Sequence, residues 1–151
     1  IPEDVVAQIT KLQSVSLCSN LTGQVATYCM VCPPKPGEPS HALYIQERDG
    51  ILNEMKKRAI ILAEGLNKVP GVHCNVVAGA MYAFPRIEIP EGRTDNEYCM
   101  ALLEETGICV VPGTGFAQVP GTAHFRTTIL PPTDKMKEVV ERFAKFHASY
   151  K

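Results

Sequence analysis

Four prolines fall within seven residues, Pro33-Pro34-Lys35-Pro36-Gly37-Glu38-Pro39. No helix or strand runs through such a stretch. Proline has no backbone N–H, fixes φ, and disfavours helix in the residue before it. The chain must break here, so a domain boundary is placed at it, with residues 1–34 on one side and 35–151 on the other.

Before the break, Val5, Val6, Ile9 and Leu12 recur at helical spacing and predict a helix over Pro2–Leu17, with Pro2 suited to the first turn. Thr22–Cys32 reads as a second, more apolar helix. After the break, Leu52, Met55, Ala59, Leu62 and Leu66 form the stripe of one long helix over Ser40–Lys68, with Ser40 as N-cap. Pro70-Gly71 opens a turn. Val72–Val77 and Ala80–Ile89 follow as strands, Pro85 imposing a bulge or an edge on the second. Asp95–Thr106 predicts a helix closed by Gly107. Ile108–Val111 reads as a short buried strand and Phe125–Leu130 as another. Thr133 is placed as the cap of a last helix striped by Met136, Val139, Val140, Phe143 and Phe146. This order implies an α+β fold: a small mixed β-sheet covered by helices, preceded by two further helices.

The chain has 151 residues, 45% hydrophobic, with a net charge of −1. It is long enough for a sizeable core in one domain or one and a half. The charge gives no electrostatic case for nucleic acid or an anionic membrane, and no apolar run approaches the length that spans a bilayer. The sequence opens on Ile1 rather than methionine, so a piece of a longer protein is expected. Six cysteines, Cys18, Cys29, Cys32, Cys74, Cys99 and Cys109, lie in apolar segments and read as reduced and buried. Cys29 and Cys32 make a lone C-x-x-C with Pro33-Pro34 behind it, which favours core or interface cysteines over a zinc or redox site. Thiol chemistry there would require one of them to be exposed with a depressed pKa. No metal site is expected.

Arg126 carries the sharpest chemical signal. It lies in the apolar run His124–Leu130, after two glycine-rich turns. A guanidinium is buried only against something anionic, and its planar fork suits a carboxylate or phosphate. Strand alternation places His124, Arg126 and Thr128 on one face, which also leaves a solvent-facing arginine open. Gly113 and Gly115 of Pro112–Phe116 allow positive φ and close backbone approach. The loop lacks the spacing of a phosphate loop. Gly79 could let backbone lie against a ligand, and Tyr82 could offer a hydroxyl; both also read as ordinary strand residues. His41, His73, His124 and His147 share no spacing and read as structural or exposed.

"CNVVAGAMYAFPRIEIP", "LLEETGICVVPGTGF" and "HFRTTILPP", with "LQSVSLCSNLTGQVA" upstream, resemble the C-terminal part of the alanine aminotransferases. These are pyridoxal-phosphate enzymes of the aspartate aminotransferase fold, fold type I. The resemblance spans essentially the whole chain. It implies that residues 35–151 are the small domain and residues 1–34 a remnant of the large, cofactor-binding domain. It implies that Arg126 holds the substrate α-carboxylate, with Gly79 and Tyr82 lining the same side of the site. It implies homodimerisation of the full-length enzyme and amino transfer from L-alanine to 2-oxoglutarate, giving pyruvate and L-glutamate. A cytoplasmic location is expected, with a mitochondrial one left open.

None of Lys11, Lys35, Lys56, Lys57, Lys68, Lys135, Lys137, Lys145 and Lys151 sits in the family's Schiff-base motif. No catalytic residue is therefore expected in the chain, and no pyridoxal phosphate is expected bound to it; it should not transaminate alone. Another fold type I aminotransferase, or a stand-alone carboxylate-binding α+β module, stands as the alternative.

Overall fold

The computed structural model describes residues 1–150. They fall into two units, Ile1–Arg48 and Asp49–Lys151. The first holds helix α1 (Glu3–Ser14), helix α2 (Leu21–Val31) and the start of helix α3 (His41–Asn67). Asn20 caps α2 by accepting from the Gly23 N–H at 2.8 Å. No residue of this unit is buried.

The second unit holds the rest of α3, the strands β1 (Val72–His73), β2 (Tyr82–Ala83), β3 (Arg86–Ile87), β4 (Val111–Pro112) and β5 (Ala123–Thr128), and the helices α4 (Asp95–Thr106) and α5 (Thr133–Ser149). β5 is the centre of the sheet. β2 and β3 pair with it along one register: Ala83 lies opposite Thr127, and Arg86 opposite His124. Two residues lie between the pairs on each strand, so Pro85 breaks the ladder without inserting a residue. Pro85 has no N–H to offer, but its carbonyl still accepts from the Phe125 N–H at 3.2 Å. β4 pairs with β5 through Val111 opposite Arg126, and β1 pairs with β3.

The core lies between this sheet and the helices. Ala59, Leu62 and Leu66 of α3, Tyr98, Cys99 and Leu102 of α4, and Met136, Phe143 and Phe146 of α5 meet Ile87, Phe125 and Ile129 there. Gly65 allows α3 and α5 to close: a Cβ on it would lie 2.5 Å from Val140 Cγ1. α4 starts at a capping box made by Thr94 and Glu97 and ends at Gly107, in the left-handed region at φ 74°.

The α+β class and the helix order stand as read from the sequence, and several details are corrected. Every pairing among the described strands is antiparallel, not mixed. The strand expected over Val72–Val77 keeps only Val72–His73, and Ala80–Ile89, expected as one strand with a bulge or an edge at Pro85, contains two short strands in one register. Ile108–Val111 is not a buried strand; β4 begins at Val111, which is exposed. Leu52 is 56% exposed despite its place in the α3 stripe. Thr133 does not cap α5: its hydroxyl donates to Glu54 Oε2 at 3.2 Å, and the cap residue is Pro132. Only Cys74 and Cys99 are buried; Cys18, Cys29, Cys32 and Cys109 are exposed free thiols. Burial pushes the Cys99 thiol up to about 12, with nearby Asp95 and Cys109 adding to it.

Candidate functional site

Arg126 projects from the strand that gathers every other strand but β1. Its guanidinium carbon lies 4.6 Å from the Tyr82 ring centroid and 4.8 Å from that of Phe116. Tyr82 arrives through β2, and Phe116 through the 3₁₀ turn Gly113–Phe116 that follows β4. Two aromatic rings thus hold the cation by its π-faces. Its side chain makes no hydrogen bond or ion pair among the described residues. The planar N–H fork is therefore uncommitted, and such a fork takes a carboxylate in bidentate fashion.

The turn carrying Phe116 is fixed from behind. Asp95, 5% exposed at the first position of α4, accepts from the Thr114 N–H at 2.7 Å, the Thr114 hydroxyl at 2.5 Å and Gln118 Nε2 at 2.9 Å. Burial alone would raise its pKa; these donors and the Asn96 N–H outweigh it and hold the carboxyl below the usual range. With Gln118 Nε2 turned to Asp95, its Oε1 faces His124 Nδ1 at 3.0 Å, so that ring nitrogen carries the proton. Burial, with Arg86 nearby, lowers the His124 pKa against a smaller opposing effect of Asp95, in keeping with a neutral ring. That ring stacks on Phe84 at 5.0 Å, and Phe84 meets Phe116 edge-on at 5.6 Å.

Of the residues singled out in the sequence, Arg126 and Tyr82 come together. Tyr82 offers its ring face to the cation as well as a hydroxyl. Gly79 lies in an exposed bend before β2, with nothing within 4 Å of where a Cβ would stand. The left-handed residue there is Ala80, at φ 57°. Neither Gly113 nor Gly115 has positive φ. Gly113 is needed for another reason: a Cβ on it would sit 2.3 Å from Gln118 Oε1 and 2.8 Å from the His124 carbonyl oxygen. The close approach is to the protein's own backbone, not to a ligand. Asp95, Phe116, Gln118 and Phe84 were not picked out from the sequence. An acidic residue after a capping threonine signals a helix start, and nothing local says that it turns inward.

A lysine that forms a Schiff base is desolvated beside its cofactor. Every described lysine is exposed, and Lys57 and Lys135 are paired with Glu54 and Glu138. The residues present do not fit pyridoxal phosphate. Among the described residues no three histidine, cysteine or acidic side chains cluster to hold a metal ion, and no helix is long and apolar enough to cross a membrane.

An antiparallel sheet under helices, with one uncommitted arginine on its central strand, makes this an α+β domain with an open cation on its sheet. The family model for aminotransferase class I and II matches residues 1–143, and the chain belongs to that family. Alanine aminotransferase 2 of Xenopus laevis is 53% identical over 156 residues, covering 97% of this chain and 29% of that protein. The mitochondrial alanine aminotransferase 1 of Arabidopsis thaliana is 50% identical, with the same two coverages of 97% and 29%. The solved structure of an alanine aminotransferase from Pyrococcus furiosus superposes with a TM-score of 0.78 at 28% identity, over 97% of this chain and 34% of that one. The chain spans about three-tenths of the length of the curated relatives it matches.

Proposed function

We propose that residues 1–151 are the C-terminal segment of an alanine aminotransferase, which converts L-alanine and 2-oxoglutarate to pyruvate and L-glutamate, and that Arg126 binds the substrate α-carboxylate. One observation carries this reading. In a chain of the aminotransferase family, a strand arginine packs over two rings and, among the described residues, leaves its donor fork unused. Contact with Tyr82 and Phe116 restricts the guanidinium, so a carboxylate that meets its paired N–H groups has less ordering left to impose. Gly79 leaves the approach to β2 uncrowded.

On this reading residues 35–151 are the small domain, and residues 1–34 belong with a large domain that supplies pyridoxal 5′-phosphate, its lysine and the dimer contacts of the full-length enzyme. Pyridoxal phosphate supplies the electron sink for amino transfer; this segment supplies recognition of the amino acid and 2-oxo acid. The enzyme is placed in the cytoplasm, with a mitochondrial form as the alternative that the name of the Arabidopsis relative supports.

The test uses the full-length enzyme carrying this segment. Arg126→Leu should raise the KM for L-alanine by about a hundredfold or more, because a desolvated charge-assisted pair is lost. Arg126→Lys should recover only part of it, since a point charge does not replace the fork. An unchanged KM in Arg126→Leu sinks the proposal. The 151-residue chain alone, mixed with pyridoxal phosphate and borohydride, should gain no covalently attached cofactor at a defined lysine.

A further inference from the structure

This inference rests on the reading of Arg126 as the carboxylate site and goes one residue deeper. No hydrogen bond sets the Arg126 side chain; the faces of Tyr82 and Phe116 do. Tyr82 is fixed by its register opposite Thr128. Phe116 ends a four-residue turn that leaves through Ala117 in the left-handed region, at φ 52°. A non-glycine residue stays there only where its surroundings impose it.

Asp95 holds residues on both sides of Ala117. Its carboxylate takes the Thr114 N–H, the Thr114 hydroxyl and the Gln118 amide, so it grips the turn at two points. Helix α4 does not need this arrangement. Its cap is already made by Thr94 and Glu97, and an acid at a helix start acts as well when exposed. Burying the carboxylate is costly unless its partners stay in place, so the turn and the acid hold each other.

We infer that Asp95 is a positioning residue for substrate carboxylate binding: by anchoring the Gly113–Phe116 turn it sets the Phe116 ring against the Arg126 guanidinium. Asp95 reaches the substrate only through the turn. With the turn released, Phe116 withdraws, the guanidinium loses one of its two planes, and more rotamers open to it. Carboxylate affinity then falls, while the chemistry of bound substrate changes little.

The experiment compares Asp95→Asn, Thr114→Val, Thr94→Ala and Arg126→Leu in the full-length enzyme. It reads KM and kcat for L-alanine, and the Kd of propanoate, a carboxylate that cannot react, by calorimetry. Asn keeps the shape of Asp95 but turns an NH₂ toward one of its donors. Asp95→Asn should raise both KM and Kd about tenfold with kcat within about twofold, the split expected when binding shared equally by the ground and transition states is lost. Thr114→Val keeps the backbone donor and should raise both roughly threefold. Thr94→Ala removes the neighbouring cap, lowers Tm and should leave both constants unchanged. If Arg126→Leu weakens propanoate and Asp95→Asn does not, the inference fails and the Arg126 reading stands. If Arg126→Leu changes nothing, that reading itself fails. If Thr94→Ala moves the constants as far as Asp95→Asn, general loosening explains both and the inference falls. Should Asp95→Asn not fold, Thr114→Val decides, and unchanged constants there overturn the inference.

Discussion

Helices α2 and α5 contrast within one chain. α2, Leu21–Val31, carries no charged residue and buries nothing. α5, Thr133–Ser149, is rich in charge and buries Met136, Phe143 and Phe146. The more polar helix is the better packed one. Burial follows from a stripe that matches a partner surface, not from apolar content. α5 presents such a stripe to a sheet in its own unit. α2 is uncharged all round, with no strongly polar face to turn to water, and Val25, Tyr28, Met30 and Val31 are all exposed.

The largest effects should separate the two units. Phe125→Ala should cost about 3–5 kcal/mol in urea unfolding of the 151-residue chain, because its ring fills the core. Tyr28→Ala should move stability by less than about 0.5 kcal/mol. A Tyr28→Ala loss as large as that of Phe125→Ala would break the contrast.

A second comparison lies within α3. Gly65→Ala drives a methyl against Val140, and a cost of about 1–3 kcal/mol is expected. Gly50 has open space around it, so Gly50→Ala should stabilise by up to about 1 kcal/mol through helix propensity. Thermal melts of the two variants should shift in opposite directions. Shifts of the same sign would mean that Gly65 is not a packing residue.

The smallest effect is a pH slope. His147 Nδ1 lies 2.7 Å from the Tyr98 hydroxyl. Burial holds its pKa below the ordinary 6.5, only partly offset by the Pro70 carbonyl and Glu88. The unfolded chain therefore takes up a proton first as pH falls. The contribution of His147 is complete above about pH 6.5 and is lost as pH drops through the lowered folded value. Urea midpoints at about pH 7.5 and 5.5 should differ less in His147→Gln than in the parent chain. An equal difference would remove His147 as a source of the slope.

The sequence marked out some of these elements because their signals are local. α4 keeps the bounds Asp95–Thr106 because a capping threonine and a left-handed glycine stand at its two ends. The Pro33–Pro39 break is legible because proline forbids the alternatives. The strands came out short because strand extent depends on pairing: Asn75 to Val77 look like a strand but find no partner in the sheet. Arg126 was legible as an oddity of charge in an apolar run. Its settings were not, since the contact with Phe116 spans ten positions and the bond from Thr114 to Asp95 spans 19. Gly113 was noticed as a glycine and misread in its reason, because only the folded chain brings the His124 carbonyl against it.

The central place of β5 also orders events in time. Among the described residues, β2 and β4 have no strand partner but β5, and β3 pairs otherwise only with β1. As the chain leaves the ribosome, residues 72–112 emerge first and wait for residues 123–128 to join them. The arginine fork is therefore among the last features that the sheet acquires, and it takes its position only once the segments on both sides of β5 have found their places.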